Sequence, residues 1–299
     1  MQIIHRETAI YSMSPDHAPA AKAADGETLI FETADCFGGQ IVCETDRMGT
    51  LDWSRINPAT GPVYIEGAEP GDTLKVEILS IELASQAAMV EAPGEGLTGL
   101  SAREENTKIL PIQDHRLVFN DALSLPVQAM IGVIGTAPES ESIPTGTPSF
   151  HGGNMDCKRI TEGATLYLPV NVEGALLAMG DLHAVMGDGE VCVCGAEIAG
   201  RVTVRVSVIK GQPLPLPFLV TSEHAMAIYS AEGLDAAAQG TTLRMRSFLI
   251  DQVKLPPHEA GMLLSLAGDL RICQAVDPSK TCRMELPLSI LHDLGYVFP

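Results

Sequence analysis

The sequence predicts a mainly β fold, a sandwich- or barrel-like body followed by a smaller C-terminal α+β part. Three observations carry this. Short runs rich in Val, Ile, Leu and Thr recur through the first two thirds and are separated by Gly/Pro turns. Helical spacing appears only after the Pro-rich stretch "QPLPLPFLV" at 212–220. A chain of 299 residues, 45% hydrophobic and 19% charged, can bury a large core. The expected division is a β-rich body over 1–215 that carries the site, with 216–299 packed on it.

Taken in order, "TLIFETADCF" and "GQIVCETD" read as strands flanking the Gly38-Gly39 turn. Pro58, Gly61 and Pro62 punctuate the approach to "VYIEG", and "EPGD" is a turn before "TLKVEILSIEL", whose apolar residues mostly alternate. The Gly-rich stretch 86–108 reads as a candidate mobile loop over a site. Strands resume at "HRLVFN" and "LSLPVQAMIGVIG", and the Pro/Ser/Thr connection "TAPESESIPTGTPSF" delivers the chain to His151. "TLYLPVNVEGALLAMGDLHAVM" and "AEIAGRVTVRVSVIKG" supply further strands, and Cys192 and Cys194 read as two small hydrophobes on one face of "EVCVCGAEI". Beyond the Pro-rich boundary, 230–254 has helical spacing with Leu234, Ala238, Leu243, Phe248 and Leu249 on or near one face. "PPHEAGMLLSLAGD" opens a second helix with prolines, and "LRICQAVD" is a strand.

Composition narrows the function. A formal charge of -19 repels nucleic acid and anionic membrane surfaces. No apolar run approaches the ~20 residues of a membrane span. The first twenty residues lack a basic segment followed by an apolar one, so a cytoplasmic location is expected. Seven cysteines, an odd and scattered set, do not form a disulfide framework.

Two polar knots interrupt the apolar pattern: "HGGNMDCKRI" at 151–160 and "GDLHAVMGDGE" at 180–190. An extended backbone puts Asp181 and His183 on one side of a strand. Gly187 and Gly189 permit a tight turn before Glu190, and Gly152-Gly153 lets His151 and Asp156 point into one space. Imidazole nitrogen with carboxylate oxygen suits a divalent metal such as zinc with a position open to water. Asp188 and Asn154 also suit plain turn roles. Cys157, beside Lys158, offers an alternative nucleophile, although no nucleophile-elbow motif surrounds it.

"FETADCFGGQI", "NPATGPVYIEGAEPGDTL", "HGGNMDCK" and "GDLHAVMGDGEV", in this order, resemble the acetamidase/formamidase family over about residues 25–275. The resemblance implies a metal-associated homo-oligomer, a dimer or higher, that hydrolyses short amides such as formamide or acetamide, and in some relatives lactams, to ammonia and the acid. By motif, the family's polar positions fall on Asp35, Asn154, Asp156, Asp181, His183 and Glu190. The roles expected from them are Asp35, Asp156 and His183 around a zinc-like ion, with calcium as a candidate second ion. Glu190 would take a proton from the water that the ion activates, Asn154 would help hold the oxyanion, and Asp181 would orient His183, with His151 as an alternative ligand. Two rivals stand beside this reading: a non-catalytic small-molecule or calcium-binding β protein, and a thiol amidase using Cys157 or Cys36.

Overall fold

The structure is a computed structural model and describes residues 1–299. Two large sheets face each other. In the nine-stranded sheet the order is Gln2–Ile4, Thr28–Thr33, Gly200–Ile209, Thr73–Leu83, Thr165–Pro169, Phe218–Val220, His224–Ala231, Lys280–Pro287 and Asp269–Gln274. The second sheet runs from Leu123–Pro126 through Arg116–Asn120, Asn106–Gln113, Gln86–Glu91, Glu197–Ile198, Leu177–His183 and Met130–Gly135 to Gly152–Asn154. Ala59–Ile65 joins it at Leu177–His183. Period-two burial sets the packing: Val202, Val204 and Val206 are fully buried, whereas Arg201 and Arg205 between them face water. Inward residues of both sheets, among them Phe31, Val76, Ile131, Ile134, Met179 and Leu182, merge into one core of 36 buried residues. That is the β-rich sandwich expected from the sequence.

The C-terminal part continues the first sheet. Phe218–Val220 pairs with Thr165–Pro169 across the expected boundary near residue 215. Alternate residues there serve two cores: Leu219, Met226 and Ile228 face the sandwich. Phe218, Ala225 and Ala227 face helices α1 (Leu234–Asp251) and α2 (Pro257–Ala267) in a second core of 14 residues. Pro257 opens α2, where a missing N–H costs nothing. The buried stripe of α1 is Ala237, Thr241, Met245, Phe248 and Leu249; Leu243, expected on that face, is 60% exposed. A short helix, Leu288–Asp293, follows the last strand.

Three expected elements are corrected. "GQIVCETD" is not a strand: the Asp46 carboxylate accepts N–H bonds from Val42 (2.8 Å) and Cys43 (2.9 Å), closing a turn that competes with any ladder. The run "EVCVCG" is a series of turns, because Val193 sits at φ 72°, outside the strand region. Both Cys192 and Cys194 still turn their sulfurs to the Val90 carbonyl. Within 86–108, Gln86–Glu91 is a strand and Asn106 begins another, so the loop is confined to 92–105. Its Leu97 and Thr98 N–H groups both donate to the Val191 carbonyl, which holds it against the segment after Glu190.

Candidate active site

The centre of the second sheet carries the site. Leu177–His183 is paired on both edges and buried along its whole length, so its polar residues Asp181 and His183 are held in the interior. Around His183 Nε2 the chain gathers carboxylate oxygens from four directions: Glu197 at 3.1 Å, Asp181 at 3.5 Å, and Asp156 and Glu190 each at 3.9 Å. Glu197 is the direct cross-strand partner of His183. The donor atoms of Asp156, His183 and Glu190 all lie within 4.8 Å of one another, as do those of Cys36, Asp181 and Glu197.

Local backbone explains how acidic side chains from turns and a strand reach one point. Asp156, Asp181 and Glu190 adopt φ of 42°, 56° and 46°, the left-handed region that non-glycine residues avoid. Two glycines make the room. A Cβ on Gly132 would run into the carboxylates of both Asp156 and Asp181, and one on Gly195 would run into the His183 ring. The Gly195 N–H donates to Glu197 Oε1 at 2.8 Å.

A fifth carboxylate arrives from the C-terminal part. Gln274 Oε1 accepts the N–H groups of Val276 and Asp277, turning the chain inward, and Asp277 Oδ2 accepts from the Asn154 amide at 2.9 Å. Asn154 thus spends one N–H on Asp277. Against these five carboxylates, His183 is the one basic side chain within 4.0 Å.

The electrostatics follow from burial and like charge. Burial, then Asp277 and Asp181, push the Asp156 carboxyl well above the carboxylate range. Burial and Asp156 do the same to Glu190, and burial and Glu190 to Asp277. Burial raises Glu197 to about 7. His183 moves up despite burial, because Glu197 and Asp181 favour its charged form. Several polar atoms stay buried without a partner: both oxygens of Asp156, Asp181 Oδ1, Glu197 Oε2 and His183 Nδ1. Buried carboxylate oxygens without donors are rare unless a cation completes them. An oxygen-rich donor set with one imidazole, packed this densely, fits a divalent cation.

Of the residues expected from the sequence, Asp156, Asp181, His183 and Glu190 are brought together, and Asn154 borders them. Asp35 is not in the convergent set. Its Oδ1 accepts from the Gly39 N–H at 3.1 Å, burial raises its carboxyl, and its neighbour Cys36 is the residue that reaches Asp181 and Glu197. His151 is fully buried with neither ring nitrogen partnered, no carboxylate within 4.0 Å, and a pKa pushed down to about 4 by burial. Cys157 is buried beside Cys273 and under Arg283, facing away from solvent. Glu197 and Asp277 went unnoticed in the sequence. The first lay in an apolar-looking run, and the second stood 87 residues past Glu190, with no motif around it.

The acetamidase/formamidase family model matches residues 5–144 and 113–292. The chain belongs to the acetamidase/formamidase family. Among solved structures it is similar to an acetamidase from Bacillus halodurans (51% identity, TM-score 0.97, covering 98% of this chain and 100% of that one). It is also similar to a recombinant predicted acetamidase/formamidase from Thermoanaerobacter tengcongensis (44% identity, TM-score 0.96, covering 99% of each). It is 27% identical to a formamidase from Methylophilus methylotrophus over 66% of this chain and 63% of that protein. The chain spans 63 to 65% of the length of the curated relatives it matches. In the acetamidase/formamidase chain described here, no helix is long and apolar enough to cross a membrane.

Proposed function

We propose that the protein hydrolyses short primary amides to the carboxylate and ammonia. The observation that carries this is the convergence of Asp156, Asp181, Glu190 and Glu197 on His183 in the interior, in a chain whose family relatives are named for amide hydrolysis. A buried cluster with one imidazole among five carboxylates stabilises nothing by itself; it is suited to concentrate positive charge.

Asp156, Asp181, His183 and Glu197 would hold a divalent cation, zinc in the first place, with calcium as a candidate second ion. Such an ion supplies a lowered pKa to water, from ~15.7 toward ~7, and polarises a carbonyl. The chain's own groups do the rest. Glu190, on the loop that closes over the cluster, takes the proton from water as the C–O bond forms. It returns that proton to nitrogen as the C–N bond breaks, so that ammonia leaves and the carboxylate remains. The free N–H of the Asn154 amide, held in place through Asp277, donates to the oxygen that gains charge. We further propose a homo-oligomer, on the resemblance in sequence, and a cytoplasmic location.

The test is Glu190→Gln, read as ammonia release and metal content together. The expected result is a ~10²–10⁴-fold loss of turnover with metal retained. Near-normal turnover removes Glu190 from the chemistry, and loss of metal reassigns it as a ligand. No ammonia from any short amide, in protein that still binds a cation, would favour the non-catalytic binder.

A further inference from the structure

Beside the donors Asp156, His183 and Glu190 stands a second set with a different chemistry. Asp181, Glu197 and the thiol of Cys36 each bring one donor atom within 4.8 Å of the other two, and all three side chains are buried. Local backbone is what sends Cys36 there rather than Asp35. The Gly38 N–H donates to the Asp35 carbonyl (2.9 Å) and the Gly39 N–H to its Oδ1 (3.1 Å), so the turn keeps the Asp35 carboxylate for itself. Both glycines take the positive φ this turn needs, 63° and 74°. The Asn57 N–H then fixes the Cys36 carbonyl from the other side at 2.8 Å. Cys194, the other thiol nearby, is engaged elsewhere: its sulfur accepts the Val90 N–H at 3.3 Å and lies 3.4 Å from the Val90 carbonyl.

We propose that Cys36, Asp181 and Glu197 bind a second divalent cation of the thiophilic, zinc-like class, with Asp181 and Glu197 shared between the two ions. The proposal rests on the cation assigned above to the His183 cluster. Free donor atoms support it. Glu197 spends Oε1 on His183 and on the Gly195 N–H, while its Oε2 is buried without a partner, and Asp181 Oδ1 has none either. Charge supports it as well, because one divalent ion does not balance five buried carboxylates that share a single imidazole. Cys36 decides which ion is taken. It binds as the thiolate, releasing its proton to water, and a thiolate selects zinc or cobalt over calcium and magnesium, which take oxygen donors. Calcium is therefore not the ion for this position. An ion also has a way in: Cys36 lines a cavity of about 150 Å³ together with Trp53, which is 57% exposed.

The experiment counts zinc per chain in the full-length protein after loading and gel filtration, and records absorption spectra after exchange with cobalt(II). Cys36→Ala, Cys36→Ser and Cys194→Ala are measured beside the unaltered protein. The expected result is about two equivalents of zinc in the unaltered protein and in Cys194→Ala, and about one in both Cys36 variants. The cobalt form shows a near-ultraviolet sulfur-to-cobalt charge-transfer band, which both Cys36 variants lose and Cys194→Ala keeps. The equivalent that stays in the Cys36 variants reports that they are folded. Three outcomes overturn the second site and leave the first: about one equivalent in the unaltered protein, two equivalents with no sulfur band, or a band that is lost with Cys194 instead. No bound zinc or cobalt at all overturns the cation assigned to the His183 cluster, and the second site with it.

Discussion

Two polar clusters, one partly and one wholly buried, lie a few residues apart and are built on opposite principles. In the first, Arg283, 1% exposed, donates to both oxygens of Asp188 (2.7 and 2.9 Å) and through Nε to Glu285 (2.7 Å). Lys158 adds a contact to Asp188 at 3.2 Å and Arg159 one to Glu285 at 3.4 Å. Every acid there has a base. In the second, two residues further along the same loop, Glu190 joins four other carboxylates around one imidazole. Arg283 and Glu285 are as buried as the acids of the second cluster, while Asp188, Lys158 and Arg159 reach solvent, yet only the first cluster is complete without help. Burial therefore does not distinguish scaffold from site; the balance of charge does. The compensated cluster also fixes the loop that bears Glu190: Asp188 is clamped by Arg283, and the Gly189 N–H donates to the Cys273 carbonyl at 2.9 Å.

The comparison breaks most severely if the unbalanced cluster loses its one base. His183→Ala should empty the site of metal and reduce turnover beyond the ~10–100-fold that changes to residues behind a ligand cost. Unchanged metal stoichiometry in the purified variant would contradict the assignment. On the balanced side, Arg283→Ala takes the buried base from the buried Glu285 and the solvent-accessible Asp188 and should destabilise the fold by ~3 kcal/mol in urea titrations, the low end for a broken buried pair. Arg283→Lys, which keeps the charge but not the paired hydrogen bonds, should lose less. A cost below ~1 kcal/mol for Arg283→Ala would mean the two clusters are not so different.

Cation binding sharpens the contrast from the other direction. A divalent ion at a hundred times its Kd should stabilise the protein by ~2.7 kcal/mol, and the gain should vanish with chelator. Since burial and mutual repulsion push the Asp156, Glu190 and Asp277 carboxyls well above the carboxylate range and burial raises Glu197 to about 7, binding should also release protons. Calorimetry in two buffers of different ionisation heat checks this, and equal apparent enthalpies would refute it.

The smallest effect concerns acid. Burial opposes ionisation of Asp188, but Arg283 and Lys158 outweigh it and hold its carboxyl below the usual range. Its contribution is therefore fully present above the unfolded value of ~3.9 and is lost as pH falls through the lower folded one. Urea midpoints measured from pH 5 down to 3 should show Asp188→Asn lacking that segment of acid sensitivity.

Much of this was legible in the sequence because glycine and polar residues interrupt apolar strands for few reasons. "TLKVEILSIEL" is a strand from its first residue to its last, and the two knots that hold Asp156, Asp181, His183 and Glu190 do meet. What escaped was set by tertiary context. Glu197 lies in a run that scans as buried strand, and only the cross-strand register with His183 reveals its place. Asp277 depends on a turn built by the Gln274 side chain, which no local pattern announces. "GQIVCETD" has strand composition, but one carboxylate capping two N–H groups overrides it. Leu243 fits a helical stripe by spacing, yet it is 60% exposed and sits beside Leu270 of the edge strand, outside the buried stripe.

The left-handed backbone at Asp156, Asp181 and Glu190 has a consequence for anyone engineering this molecule. Side chains at such angles cost roughly 1–2 kcal/mol each relative to glycine, and here those side chains are acids crowded together in a dry interior. Selection for heat resistance alone would therefore be rewarded at these three positions first, by glycine or asparagine, and would arrive at a hardier protein emptied of chemistry. A thermostability campaign on this scaffold has to screen for turnover at every round.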